Sequence, residues 1–145
     1  MRWFEISQEC LYTVLMSDYD KYEYWLEGAD YDIETAKVMN ETKRYLYVGF
    51  MCHQSVEKAL KAVFVRDYPP ENLPYTHNLE KIAESSAVYG KMSESQKRFL
   101  EELVPLNIEA RYPETRAKLT ASLTADYSKT LITRTEEFIK WLKTT

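Results

Sequence analysis

The chain has 145 residues, 45% of them hydrophobic, 29% charged and 14% aromatic, which suits one domain able to bury its own core without metal or disulfide staples. Only three glycines and five prolines occur, which excludes collagen, low-complexity disorder and a turn-rich all-β fold. The net charge of -4 argues against general DNA binding, and no run approaches the ~20 apolar residues of a membrane helix.

Residues 1–16 differ from the rest of the chain. Trp3, Phe4, Leu11, Tyr12, Val14 and Leu15 form a short, broken apolar pattern, and Met16 stands just before a strong helix signal. The expectation is an N-terminal appendage, or an upstream misreading of the start codon, followed by a helical domain over 17–145. No signal peptide is expected at the start, because Glu5 and Glu9 fall within a broken apolar stretch. Cys10 and Cys52 match neither a metal-ligand spacing nor a secreted disulfide framework, so the chain is expected to be cytoplasmic.

From Ser17 onward the spacing predicts helices. Asp18 to about Asn40 places Tyr22, Trp25, Leu26, Ala29, Ile33, Ala36 and Met39 three and four residues apart, one face of a long helix. A second helix, from about Lys43 to Asp67, carries Val48, Cys52, Val56, Ala59, Leu60 and Val63, and Pro69-Pro70 ends it. Gly49 on its apolar face permits close approach of another element, or is simply tolerated. Residues 68–77 read as a loop. Asn78 to about Tyr89 is a short helix stopped by Gly90, and Ser93 with Gln96 forms a capping box for the next, which uses Phe99, Leu100, Leu103 and Leu106. Arg111-Tyr112-Pro113 falls in a break, since proline disfavours helix at the residue before it. A last helix starts near Thr124. No segment alternates with period two and no solenoid repeat occurs, so the expected architecture is an all-α antiparallel bundle of about five helices.

Charge is uneven along the chain. Residues 1–32 carry eight acids against Arg2 and Lys21, and from Arg111 onward seven bases face four acids. The late cationic excess either meets a phosphate or acidic partner, or is a set of solvated helix faces. Three constellations could hold chemistry. Gln54, Glu57, Lys58 and Lys61 share one face of the second helix, either as a surface ion-pair row with Glu57 and Lys61 paired at i,i+4, or as a polar stripe needing partners. His77, at a loop-to-helix junction, is either a contact or acid–base group, or a packing residue beside capping Thr76 or Asn78. Arg111, before the Tyr112-Pro113 break, presents its fork to phosphate or carboxylate, or locks the loop through a salt bridge, for instance to Glu57. His53 reads as a structural histidine, and no third ligand supports a metal. Glycine-rich phosphate loops, GxSxG and HExxH are missing from the sequence, which disfavours the usual nucleotide enzymes.

Four patterns in order carry a resemblance: Tyr24-Trp25 through Ala29, Asp32 and Ala36; Cys52-His-Gln54-Ser-Val-Glu57-Lys58-Ala-Leu-Lys61-Ala; Thr76-His77-Asn78-Leu79; and Ala110-Arg111-Tyr112-Pro113. From about Ser17 to Lys143 the chain resembles the HEPN domain (higher eukaryotes and prokaryotes nucleotide-binding). The resemblance implies an all-α bundle of five helices that dimerises with a groove between protomers, and pairing with a small nucleotidyltransferase encoded beside it, often in toxin–antitoxin systems. Catalytic members are metal-independent ribonucleases with an Arg followed four to six residues later by a His. This chain departs from that pattern, because no histidine follows Arg111, and Arg44 lies nine positions before His53. It looks instead like the subgroup bearing Arg-Tyr-Pro.

In that subgroup Gln54, Glu57, Lys58, His77, Arg111 and Tyr112 would line the groove, with no catalytic residue, metal or cofactor. Lys58 and Arg111 would neutralise phosphate, Gln54 and His77 would read polar edges, Tyr112 would stack on a base, and Glu57 would orient Arg111 or Lys58. Three functions are expected in turn. The first is a non-catalytic dimeric binding module for a nucleotide or other phosphate-bearing ligand, partnered by a nucleotidyltransferase. The second is a ribonuclease with a non-standard site around His77 and Arg111. The third is a purely structural dimerisation domain.

Overall fold

The apolar rows of the first two segments fold into one closely packed helix pair. The computed structural model describes residues 18–107 and 113–145; these hold six α-helices and no strand, the all-α bundle expected from sequence. Helix α1 spans Asp18–Glu41, α2 Tyr45–Asp67, α3 Leu79–Ser85, α4 Glu94–Leu103, α5 Pro113–Ser122 and α6 Ala125–Thr144. The expected appendage, Arg111 and Tyr112 all lie outside the described residues.

Small side chains set how closely α1 and α2 approach. Ala29 and Ala36 of α1, and Ala59 of α2, have no exposed surface, and the Ser55 hydroxyl donates to the Ala29 carbonyl across the contact at 2.6 Å. Larger side chains there would hold the axes apart. The two helices are joined through Thr42–Arg44, where Lys43 takes a φ of 60°. That left-handed conformation costs a lysine roughly 1–2 kcal/mol.

Helix α2 is the axis of the bundle. Thirteen of its 23 residues are buried, and it touches every other helix. Val48, Cys52, Val56, Leu60 and Val63 meet Leu131, Phe138, Ile139 and Leu142 of α6, Leu79 and Ile82 of α3, and Phe99, Leu100 and Leu103 of α4 in one core. Each fully buried Leu, Ile, Val or Phe side chain contributes about 1.5–3 kcal/mol. At the rim, Arg134 of α6 pairs with Glu102 of α4 at 2.7 Å and lies over the Phe99 ring at 4.4 Å. Lys143 to Asp30 and Lys37 to Glu136 tie α6 to α1 at 3.1 Å each.

Local sequence explains the helix ends. Asn78 accepts the Lys81 N–H and caps α3; Ser93 and Gln96 form the expected capping box on α4; Thr124 accepts the Tyr127 N–H at the start of α6. Two boundaries differ from expectation. Helix α3 stops at Ser85 rather than near Tyr89, and Tyr89–Lys91 forms a separate 3-10 turn through Gly90. At this end the Ser85 hydroxyl donates to the Lys81 carbonyl, and both the hydroxyl and the N–H of Ser86 donate to the Ala83 carbonyl. The segment after the Arg111-Tyr112-Pro113 break is a helix, α5, opened by Pro113 in its first turn. It shows no apolar row because none of its side chains is buried; Leu119 alone packs partly on the core.

Gly49 is buried where an added Cβ would stand 3.3 Å from Leu123 and 3.4 Å from Leu106. The close approach expected from its place in the apolar row is therefore real, and its neighbours are the connection into α6 and the turn after α4. Gly49→Val is expected to lose about 1–3 kcal/mol in urea denaturation through overpacking. Unchanged stability would show that these leucines can move aside.

Candidate functional site

The polar stripe of α2 faces three directions. Gln54 donates from Nε2 to Oδ1 of Asn107 at 3.0 Å, tying α2 to the end of the turn after α4. Lys58 turns toward α1, with Nζ 2.8 Å from Oδ2 of Asp32. Glu57 and Lys61 form the i,i+4 pair at 3.2 Å, and the other Glu57 oxygen, Oε1, lies 3.0 Å from Nδ1 of His77. The structure thus brings Glu57 and His77 together, while Gln54 and Lys58 take partners outside the expected set. Glu57 orients His77 and Lys61, the latter its expected i,i+4 partner, while Lys58 pairs with Asp32 and not with Glu57. Arg111 and Tyr112 lie outside the described residues.

Burial gives the Glu57 contacts their weight. Glu57 is only 3% exposed, and a buried carboxylate without partners would be costly. Both oxygens are engaged. Lys61 is itself held under α1, with Nζ 5.1 Å from the centre of the Trp25 ring. With Glu57 ionised, Nδ1 of His77 must carry the hydrogen, because a carboxylate only accepts. In the neutral ring Nε2 is then the acceptor. The His77 side chain is 73% exposed, so a buried acid fixes the tautomer and position of a histidine at the surface.

Two residues outside the expected site set complete the arrangement. Asp32 is 7% exposed and neutralises Lys58. Gly28 makes room for the lysine stem: a Cβ at Gly28 would stand 3.1 Å from Lys58 Cδ. The available signal was the i,i+4 relation of Gly28 and Asp32 on a helix expected to pack beside the Lys58 helix.

His53, one turn before Glu57, has no exposed surface, and neither ring nitrogen has a hydrogen-bond partner among the described residues. Burial pushes its imidazole down to about 4; the charges of His77 and Lys61 act in the same direction, and the Glu57 charge and the His77 main chain oppose them. Cys52 is buried, and burial pushes its thiol up to about 12, which removes it as a nucleophile at neutral pH. Among the described residues, no group of three or more His, Cys, Asp or Glu is arranged to hold a metal ion. No helix among them is long and apolar enough to cross a membrane. A cleft between α3 and α4, lined by Glu80, Glu84, Tyr89, Lys97 and Arg98, contains none of the expected site residues.

The depressed His53 has a definite consequence for stability. As pH falls through about 6.5 the unfolded chain binds a proton there, whereas the folded chain does so only near pH 4. Stability is therefore complete above pH 6.5 and declines between 6.5 and 4. Over that window the protein is expected to lose about 3 kcal/mol more than His53→Leu in urea denaturation. Parallel pH profiles would refute this assignment.

Comparison with curated proteins and with solved structures found no match. The family model described as HEPN domain matches residues 22–145, which takes in all six helices apart from the first residues of α1. The sequence motifs, the all-α bundle built around α2 and this match agree, and the chain belongs to the HEPN domain family.

Proposed function

We propose that this HEPN domain is a non-catalytic binding module. It works as a homodimer, takes a nucleotide or another phosphate-bearing ligand in a groove between protomers, and partners a small nucleotidyltransferase in a toxin–antitoxin-like system. Gln54, Glu57, Lys58 and His77 serve that groove together with Arg111 and Tyr112.

The observation that carries the ligand-binding part is the Glu57–His77 contact. An exposed histidine loses entropy when a ligand fixes it, and a buried carboxylate that has already fixed it removes part of that cost. Lys58 lies next along the helix. Its side chain is 27% exposed, and an ammonium has three donors, so its pairing with Asp32 leaves hydrogens for a phosphate oxygen. The non-catalytic part rests on the sequence, which has no histidine after Arg111. Titration calorimetry with ATP, GTP and AMP is expected to give Kd values between about 1 μM and 1 mM, and sedimentation is expected to give twice the chain mass. No heat and no thermal shift at millimolar nucleotide would reject the ligand part, and a monomer would reject the groove.

The same contact favours a second reading, a metal-independent ribonuclease around His77 and Arg111. A carboxylate that holds Nδ1–H and leaves Nε2 as acceptor is how an imidazole is prepared to take a proton from a hydroxyl. Incubation with tRNA separates the two readings. The binding-module reading expects intact tRNA; cleavage abolished by His77→Ala would establish the ribonuclease instead.

A further inference from the structure

The ionic groups beside His77 are largely balanced. Lys58 is paired with Asp32 and Lys61 with Glu57, two cations against two carboxylates. Lys58 keeps hydrogens for a phosphate oxygen, while the Tyr75 and His77 end of the site is left for an uncharged part of the ligand.

One side chain there stands apart from the rest. Tyr75, two residues before His77, is wholly exposed. Trp25, Tyr22, Tyr89 and Phe99 each lie beneath a cation and Tyr68 rests against Phe64; Tyr31 and Tyr47 are also exposed, but both lie on helices, and Tyr75 exceeds them in exposure. Yet the main chain under Tyr75 is well tied. The Thr76 N–H donates to the Pro74 carbonyl at 3.0 Å and closes a three-residue turn with Tyr75 at its apex. Pro74 fixes the approach to that turn. Beyond it, the Asn78 N–H donates to the Thr76 hydroxyl, and His77 is bonded to Glu57. The Tyr75 and His77 Cα atoms stand no more than about 7 Å apart. A ring carried on fixed backbone loses little freedom when a flat ligand covers it.

Resting on the nucleotide-binding reading above, we infer that Tyr75 is the platform on which the base of the bound nucleotide stacks, with the His77 ring beside it. This end of the site recognises the heterocycle and not the phosphate. Stacking on an aromatic side chain serves any base, since each has a π-face.

The test is titration of the full chain with AMP, CMP, GMP and UMP, with the matching nucleosides, and with ribose 5-phosphate. Nucleosides are expected to bind within about tenfold of their nucleotides, and ribose 5-phosphate more weakly than either. Tyr75→Ala is expected to weaken nucleoside and nucleotide binding about tenfold, or about 1.4 kcal/mol, while Tyr75→Phe keeps both. Because Tyr75 is wholly exposed, Tyr75→Ala keeps the thermal midpoint, which separates lost stacking from lost folding. Equal nucleotide affinity in wild type and Tyr75→Ala, or ribose 5-phosphate binding as tightly as AMP, would overturn the stacking role and leave the nucleotide reading standing. No binding of any nucleotide to the wild type would overturn both.

Discussion

A carboxylate on the most buried helix of a bundle has to be answered by partners, and the answer to Glu57 organises one side of this molecule. Its two oxygens draw Lys61 and His77 to α2. Lys61 reaches the Trp25 ring and so fastens α1 at the same point. His77 ties the segment between α2 and α3, which otherwise holds only a 3-10 turn at Pro70–Asn72 and local turn hydrogen bonds, to α2. Removing the acid would therefore loosen a helix contact and a connection together, and leave a partly buried lysine facing an aromatic ring without its carboxylate. The apolar core alone would accept other conformations of that connection.

Much of the fold could be read from spacing. The three- and four-residue rows of α1 and α2 locate their buried faces, with Ala29, Ile33, Val56 and Leu60 all inside. Ser93 with Gln96, and Thr124, mark helix starts through capping chemistry that depends only on neighbours in sequence. Helix α5 escaped the same method for a physical reason: periodicity reports burial, and α5 buries no side chain. Helix α3 ends at Ser85, before the apolar pattern does, and Gly90 falls in a separate 3-10 turn.

The site was legible only where its partners were close in sequence. Glu57 with Lys61 follows from one turn of helix. Glu57 with His77 and Lys58 with Asp32 bridge different segments, separated by 20 and 26 positions, and depend on how the helices lie together. The Lys58 path further needs the missing Cβ of Gly28. Residue type nevertheless gave a fair guide, because a glutamate, two lysines and a histidine near apolar rows must find one another or water. His53 is a core group, as its place in the apolar helix suggests, kept neutral by burial and adjoining the polar cluster.

Helix α5 stands at the opposite extreme from α2. Ten residues wind into regular structure while leaving every side chain at least partly in contact with solvent, anchored through Leu119 and the adjoining Leu123. Such an element can be rewritten almost freely. Since the apolar interior takes little from it, changes of size, charge or polarity along its exposed positions reshape the outer contour of the molecule and spare the arrangement within.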